Sequence, residues 1–379
     1  MTRPEHLYVH VPFCVRRCSY CDFAVTVASD PPVDAWLDAI TRELDGVMRE
    51  HGLERLRLRT VYIGGGTPSL LGPGALSAFA ERLAARADLA PDVEWTAEAN
   101  PESLTAELAA DWRAAGVNRI SLGVQTFHEP ALRWMGRMHG PDGAIAAVDA
   151  ARRGGLRNIS VDLIFGLPSR LGRDWADDLE RVIGLEPAHV SLYGLTAEQN
   201  TPLGRWVRDG REVLADEDRY ADEYLLAVER LTGVGFEHYE VSNFARPGLR
   251  SRHNSAYWSG ASWIGLGAGA HSFLGGVRWW NERDWARYRS RVLEAGSARA
   301  GEERPEDGAG ALERAWLALR TDAGVARGDL SPAQRDLVEQ WLKQGWAAPV
   351  GERVRLTAEG WLLLDRLAVE LDAAREAAA

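Results

Sequence analysis

Three cysteines, Cys14, Cys18 and Cys21, are the only thiols in 379 residues, and all stand in one short stretch, VHVPFCVRRCSYCDF, running from Val9 to Phe23. Chance would scatter three cysteines along the chain. An odd, tightly spaced set fits disulfides poorly. A catalytic thiol needs one cysteine rather than three. Structural zinc usually pairs two C-x2-C-like knuckles or adds a histidine pair, whereas Cys18 and Cys21 make a single knuckle. His10 or another residue would then have to complete the set. An iron–sulfur cubane takes four thiolates as a rule; three would hold three irons and leave the fourth open to a ligand from outside the protein. The spacing favours the cluster, with zinc as the alternative.

Other residues could do chemistry beside such a centre. GGGTPS (64–69) resembles a phosphate loop but lacks the Lys and the spacing of G-x-x-x-x-G-K-[ST], so triphosphate binding is rejected. Its glycines, with Thr67, let a backbone approach a ligand closely. Glu98, in TAEANP, sits in an apolar strand, where a carboxylate must be paired within the protein or bind something. Taken alone, Arg137 reads first as a solvated helix residue; turned inward, its fork would suit a ligand carboxylate.

The elements that would position these residues follow a repeat. Apolar, β-branched runs fall at 6–13, 60–65, 93–100, 118–127, 158–168 and 189–196. Helix-period stretches fall between and after them at 33–52, 73–87, 105–116, 143–155, 174–184 and 216–235, several ending at Gly. Six strand–helix repeats imply parallel βα units, arranged as an incomplete barrel or a doubly wound sheet; a seventh extended piece, 236–244, follows. In a barrel, reactive residues gather where strands end. The cysteines follow strand one, Gly64 to Thr67 follow strand two, Glu98 closes strand three, Gln125 closes strand four, Asp162 is inside strand five and Thr196 closes strand six.

Composition bounds the partners. A net charge of −11 argues against a broad nucleic-acid-binding face. The start of the chain does not resemble a signal peptide and no apolar run is long enough for stable membrane insertion. The expected location is the cytoplasm, where thiols stay reduced.

The motifs YVHVPFCVRRCSYCDF, GGGTPSLL, EANP, RISLGVQTF, DLIFGLP, SLYGLT, YEVSNFARPG, HNSAYW and GLGAGAHSF, in this order, resemble the radical S-adenosylmethionine proteins. The likeness lies with the branch holding oxygen-independent coproporphyrinogen III oxidase and a family of heme chaperones. It implies an incomplete (β/α)6 radical-SAM barrel over 1–240, a post-barrel segment carrying HNxxYW over 241–300 and packed on the barrel, and a small winged-helix-like α+β domain over 305–379. It implies a [4Fe-4S] cluster on Cys14, Cys18 and Cys21, whose open iron binds S-adenosylmethionine. Carried over position by position, Tyr8, Gly65, Gly66, Thr67, Glu98, Gln125, Arg137 and Asp162 match cofactor-contacting residues, Tyr20 matches the aromatic beside the last cluster cysteine, and Thr196 matches less closely. The oxidase has a further cysteine after the cluster loop and an N-terminal arm. Here Asp22-Phe23 follow Cys21 and Tyr8 stands near the start. CDF, SNFARPG and HNSAYW are instead similar to the heme chaperones, which implies heme as ligand and heme-accepting proteins as partners, without coproporphyrinogen III oxidase activity. Oxidative decarboxylation of coproporphyrinogen III is the alternative; a radical enzyme acting on RNA is a distant third and lacks a basic patch.

Two features remain. GSARAGEERPEDGAG (296–310) reads as an exposed connection, and the acidic helices after it suit a lid or docking role better than DNA binding. In SRHNSAYWSG, a lone His253 reads as a histidine hydrogen-bonded to a barrel loop, while the HNxxYW resemblance makes it a candidate heme ligand, with Tyr257 and Trp258 one helical turn on; His271 in GAHSF competes for that role. Of the 15 tryptophans, Trp258, Trp279 and Trp280 lie where a flat macrocycle would be met.

Overall fold

The computed structural model describes residues 3–304 and 307–376. Six parallel strands run in sequence order: β1 (His6–Val11), β2 (Leu56–Gly65), β3 (Ala87–Ala99), β4 (Arg119–Gln125), β5 (Asn158–Phe165) and β6 (His189–Gly194). Each is followed by a helix that returns the chain to the next strand, among them Val33–Glu50, Ala75–Ala84, Ala106–Ala115, Pro141–Arg153 and Trp175–Gly184. This is the six-unit α/β arrangement that the sequence implied.

Local chemistry explains the elements. The first helix turns Trp36, Leu37, Ile40, Leu44 and Val47 inward at helical spacing. Burying such side chains contributes about 2–3 kcal/mol each relative to exposure. The third helix is capped by Thr105, whose hydroxyl accepts from the Leu108 N–H at 3.2 Å. In β1, Leu7, Val9 and Val11 are fully buried, while the alternate residues Tyr8 and His10 reach the cavity that the strands enclose.

The sheet continues beyond the six parallel strands at both edges. Beyond β6 the chain forms β7 (Glu237–Glu240) and β8 (Asn243–Ala245), antiparallel to each other, with β8 antiparallel to β6, in place of a single extended piece over 236–244. On the other side, β9 (Trp263–Leu266) pairs parallel to β1, with His6 opposite Trp263 and Val9 opposite Leu266. It is followed by β10 (His271–Leu274), β11 (Val277–Asn281) and β12 (Arg299–Glu303), all antiparallel neighbours. The post-barrel segment therefore hydrogen-bonds into the same twelve-stranded sheet.

The expected exposed connection over 296–310 is in part the edge strand β12. Its charges pair across and along the edge, Arg278 with Glu303 at 2.8 Å and Arg299 with Glu302 at 2.8 Å. Such residues read as a linker in sequence yet suit an edge strand well. Residues 305 and 306 lie outside the described residues.

The C-terminal domain has helices Asp307–Leu319 and Pro332–Gln344, a hairpin of Ala347–Val350 and Arg353–Leu356, and helices Ala358–Leu362 and Leu364–Glu376. A short third strand, Val325–Ala326, joins the hairpin. Its own core includes Leu319, Trp341, Val354 and Leu367.

Candidate functional site

One cavity of about 1690 Å³ opens at the C-terminal ends of the parallel strands. Its walls carry Cys14, Cys18, Cys21, Tyr8, Tyr20, Gly65, Gly66, Thr67, Glu98, Gln125, Arg137, Asp162 and Thr196, so six strand ends deliver those expected residues to one place. The far wall comes from the post-barrel segment and from the C-terminal domain, including Tyr257, Trp258, Trp263, His271, Glu313 and Trp316.

The cluster loop is held from several sides. The Ser19 N–H donates to the Met135 carbonyl at 3.1 Å, and the Leu203 N–H donates to the Ser19 carbonyl at 2.9 Å. Tyr20 packs into an apolar group with Ala131, Met135, Leu195 and Leu203, and burial pushes its hydroxyl well above the usual tyrosine range. His10 anchors the end of the loop: its Nε2 bonds the Ala24 carbonyl at 2.8 Å and its Nδ1 the Tyr8 hydroxyl at 2.9 Å. Burial lowers the His10 pKa to about 4, so the ring is neutral.

The glycine loop packs directly against this anchor. Gly65 has φ +105°, and a Cβ there would lie 2.2 Å from the His10 ring. Only glycine meets both the conformation and the space. Two residues on, the Thr67 hydroxyl donates to the Cys14 sulfur at 3.4 Å and accepts from the Asn100 amide at 3.2 Å.

Two buried carboxyls line the floor. Glu98 accepts from the Tyr62 hydroxyl at 2.7 Å and from the Gly65 N–H at 2.9 Å. Burial nonetheless raises its pKa to about 7, against the pull of those two donors. Asp162 accepts from the Ser121 hydroxyl at 3.0 Å, and burial raises its pKa as well. Gln125 holds φ +71°, a sparsely populated conformation for a residue with a side chain. Arg137 points inward. It donates to Asn100 at 2.7 Å and to the Gly123 carbonyl, while its buried Nε has no partner among the described residues.

These residues fit a cluster and a zwitterionic nucleoside ligand. Three thiols share one wall, with no disulfide between them. Burial pushes the Cys14 thiol up to about 11, and loading a metal there must displace its proton. Among the described residues no three His, Cys, Asp or Glu side chains converge as a single ion requires. A cubane makes a different demand, since each thiolate takes its own iron.

Not every expected residue is on the wall. His253 is 1 % exposed and lies behind it. Its Nδ1 bonds the Thr60 hydroxyl at 2.7 Å, its Nε2 bonds the Tyr257 hydroxyl at 2.8 Å, and burial lowers its pKa to about 3. Both ring nitrogens are thus engaged, and what His253 does in this geometry is hold Tyr257, which is on the wall. Trp279 is buried, stacked on His51 at 5.4 Å, and Trp280 stacks on His271 at 5.9 Å; of the three expected tryptophans only Trp258 lines the cavity. The sequence reading missed Asn100, Tyr62, Trp263 and Trp316. EANP was noted for its glutamate, and the Asn before Pro reads as an ordinary turn. The aromatics read as core.

Parallel strands in this order, with three thiols following the first and a glycine loop following the second, define a protein of the Radical SAM superfamily, whose pattern matches residues 8–182. Relatives narrow this further. Heme chaperone HemW of Mycobacterium tuberculosis (strain ATCC 25618 / H37Rv) is 40 % identical over 368 residues, 96 % of this chain and 93 % of that protein. Heme chaperone HemW of Escherichia coli (strain K12) is 41 % identical over 270 residues, 71 % of this chain and 70 % of that protein. The chain belongs to the HemW family. Among solved structures, coproporphyrinogen III oxidase (HemN) from Escherichia coli superimposes with a TM-score of 0.82 at 24 % identity, covering 98 % of this chain and 90 % of that one. That likeness concerns the fold.

Proposed function

We propose that this protein is a heme chaperone: it binds heme in the large cavity and passes it to an acceptor protein. In this reading Cys14, Cys18 and Cys21 hold a [4Fe-4S] cluster. Tyr8, Tyr20, Gly65, Gly66, Thr67, Glu98, Gln125, Arg137 and Asp162 cradle S-adenosylmethionine, which the cluster's open iron would bind by its amino and carboxylate groups. Arg137 orients that carboxylate, Glu98 accepts from hydroxyl donors, and the glycine loop lets the backbone close on the ligand. Tyr257, held by His253, and Trp258 shape the heme side of the cavity.

The observation that carries the reading is the size and composition of the cavity. Pockets for single drug-sized ligands run to about 300–1,000 Å³. Here the cavity measures about 1690 Å³, and its lining combines the cluster-type residues with Tyr257, Trp258, Trp263 and Trp316. Aromatic walls suit a porphyrin plane. The naming of the relatives supports the same choice.

The alternative, oxidative decarboxylation of coproporphyrinogen III, shares the fold, so the architecture does not separate the two. The residues after the cluster loop favour the chaperone: Asp22 and Phe23 follow Cys21, and the sequence has no fourth cysteine. The test is direct. The anaerobically reconstituted protein is titrated with heme and, separately, incubated with coproporphyrinogen III, S-adenosylmethionine and a reductant. Saturable one-to-one heme binding and no protoporphyrinogen IX are expected; product at the level of the protein concentration or above would overturn the reading.

A further inference from the structure

A heme iron needs a donor atom that faces the cavity and is not already spent. The sequence has nine histidines. Two of them line the cavity, His10 and His271. His10 uses one ring nitrogen on the Ala24 carbonyl and the other on Tyr8, and it is buried. His271 is exposed in the cavity wall, and neither of its ring nitrogens is hydrogen-bonded among the described residues. From this juxtaposition of a free imidazole, a half-exposed arginine whose ion pair to Asp22 is long, and the cluster loop, we infer that His271 is the axial ligand of heme iron and that Arg283 takes a propionate. The inference rests on the heme-binding reading above and names its ligand.

The fold aims His271. It opens β10 directly opposite Trp280 of β11, and the two rings stack with an interplanar angle of 28°. Its own carbonyl is fixed by the Trp263 indole N–H at 2.9 Å. The turn before it is pressed onto the barrel: Gly267 has φ +105°, and a Cβ there would lie 2.6 Å from the His10 carbonyl oxygen. A Cβ on Gly269 would lie 2.6 Å from that of Ala24, in the loop that carries the cysteines. A heme bound at His271 therefore sits against the cluster loop, within the same cavity.

The propionates need cations that are not committed elsewhere. Arg278 is committed, bridging Glu303 and Glu313. Arg283 is 59 % exposed. It donates to the Asp22 carbonyl and stands 3.6 Å from that residue's carboxylate, beyond hydrogen-bonding distance. A propionate would replace this loose contact with a charge-assisted fork. Trp263 and Phe273, with ring centroids 5.5 Å apart, supply apolar surface beside the same strand.

The test is a ferric heme titration of the full-length, cluster-loaded protein followed through the Soret band. Wild type, His271→Ala, His271→Met and His253→Gln are compared, with the cluster absorbance recorded for each. His271→Ala should bind heme at least tenfold more weakly with a shifted band, and added imidazole should restore the wild-type band. His271→Met should bind heme with a changed ferrous spectrum. His253→Gln should keep the wild-type band position at saturation, whatever its affinity. An unchanged band and affinity in His271→Ala overturns the ligand assignment while leaving the chaperone reading standing, as does a ligand-type shift confined to His253→Gln. A cluster-loaded wild type that takes up no heme removes the chaperone reading instead. If His271→Ala fails to load its cluster, imidazole rescue of the heme band in the cluster-free variant decides, and absence of rescue counts against the assignment.

Discussion

Glu98 shows how a single buried carboxyl can set a pH range. Desolvation raises it to about 7 while Tyr62 and Gly65 donate to it. A raised folded-state pKa stabilises the ligand-free fold below the ordinary carboxylate range. That contribution is lost as pH rises through about 7, because the folded protein must then give up a proton it holds more tightly than the unfolded chain does. A ligand that donates hydroxyls to Glu98 favours the charged form and so binds more weakly as the carboxyl protonates. S-adenosylmethionine affinity of the cluster-loaded protein should fall by up to about tenfold per pH unit below 7. Calorimetric titration at pH 6 and pH 8 checks this, with Glu98→Gln expected to be weak and flat across the range. A wild-type affinity independent of pH would remove Glu98 from the cofactor's contacts. Glu98 and Asp162 were legible in the sequence because a carboxylate within an apolar strand demands an explanation. Tyr62 and Asn100 were not, because a tyrosine in a strand and an Asn before Pro both have ordinary explanations.

At the scale of elements, the glycine loop after β2 holds the cluster loop through His10. The Gly66 N–H donates to the Val11 carbonyl at 2.7 Å and the Thr67 N–H to the Phe13 carbonyl at 2.8 Å, so the two loops form one unit. Gly65→Ala introduces a Cβ at 2.2 Å from the His10 ring in a left-handed conformation. It should displace His10 from Ala24 and free the end of the cluster loop. We expect the variant to fold, with far-UV circular dichroism near that of wild type, but to reconstitute with less than half the iron; wild-type iron content would show that the loop tolerates the shift. The order of strands and helices was readable because period-2 and period-3.6 runs alternate cleanly along the chain. The first half of β3 was not, since ADLAPDV carries a proline and alternates poorly. It pairs with Leu56–Leu58 ahead of a register break in β2. Nor were the short helices Glu129–Met135 and Pro202–Arg208. One turn or two of helix gives no periodic signal, yet Met135 and Leu203 are the residues whose backbones bond Ser19.

The whole molecule depends on how the C-terminal domain is fastened over the cavity. Winged-helix-like order was legible there from helix, helix, hairpin, helix; its attachment was not, because it is made by residues far apart in sequence. Glu240 of β7 forms an isolated bridge with Thr321, and the Asp322 N–H donates to the Tyr239 carbonyl at 2.9 Å. Arg320 reaches Glu240 at 3.1 Å, and its guanidinium lies 4.1 Å from the centroid of Trp258 and 5.2 Å from that of Trp316. The Glu240 carboxylate is fully buried, and desolvation raises its pKa although Arg320 opposes the shift. Arg320→Met would keep most of the stem packing and remove the charge. It should cost about 3–5 kcal/mol near neutral pH, mainly because a buried carboxylate is left unpaired. The sign follows from the raised pKa. Toward acidic pH Glu240 can take up a proton and the loss should shrink; as pH rises the variant must either carry a buried charge or hold the proton against the medium, so the loss grows. Thermal melts at pH 5.5 and pH 8 should therefore diverge for Arg320→Met far more than for wild type. Adding Glu240→Gln should restore much of the pH 8 stability. An equal loss at both pH values, or no recovery in the double variant, would mean that stacking on Trp258 and Trp316 rather than the ion pair fastens the domain.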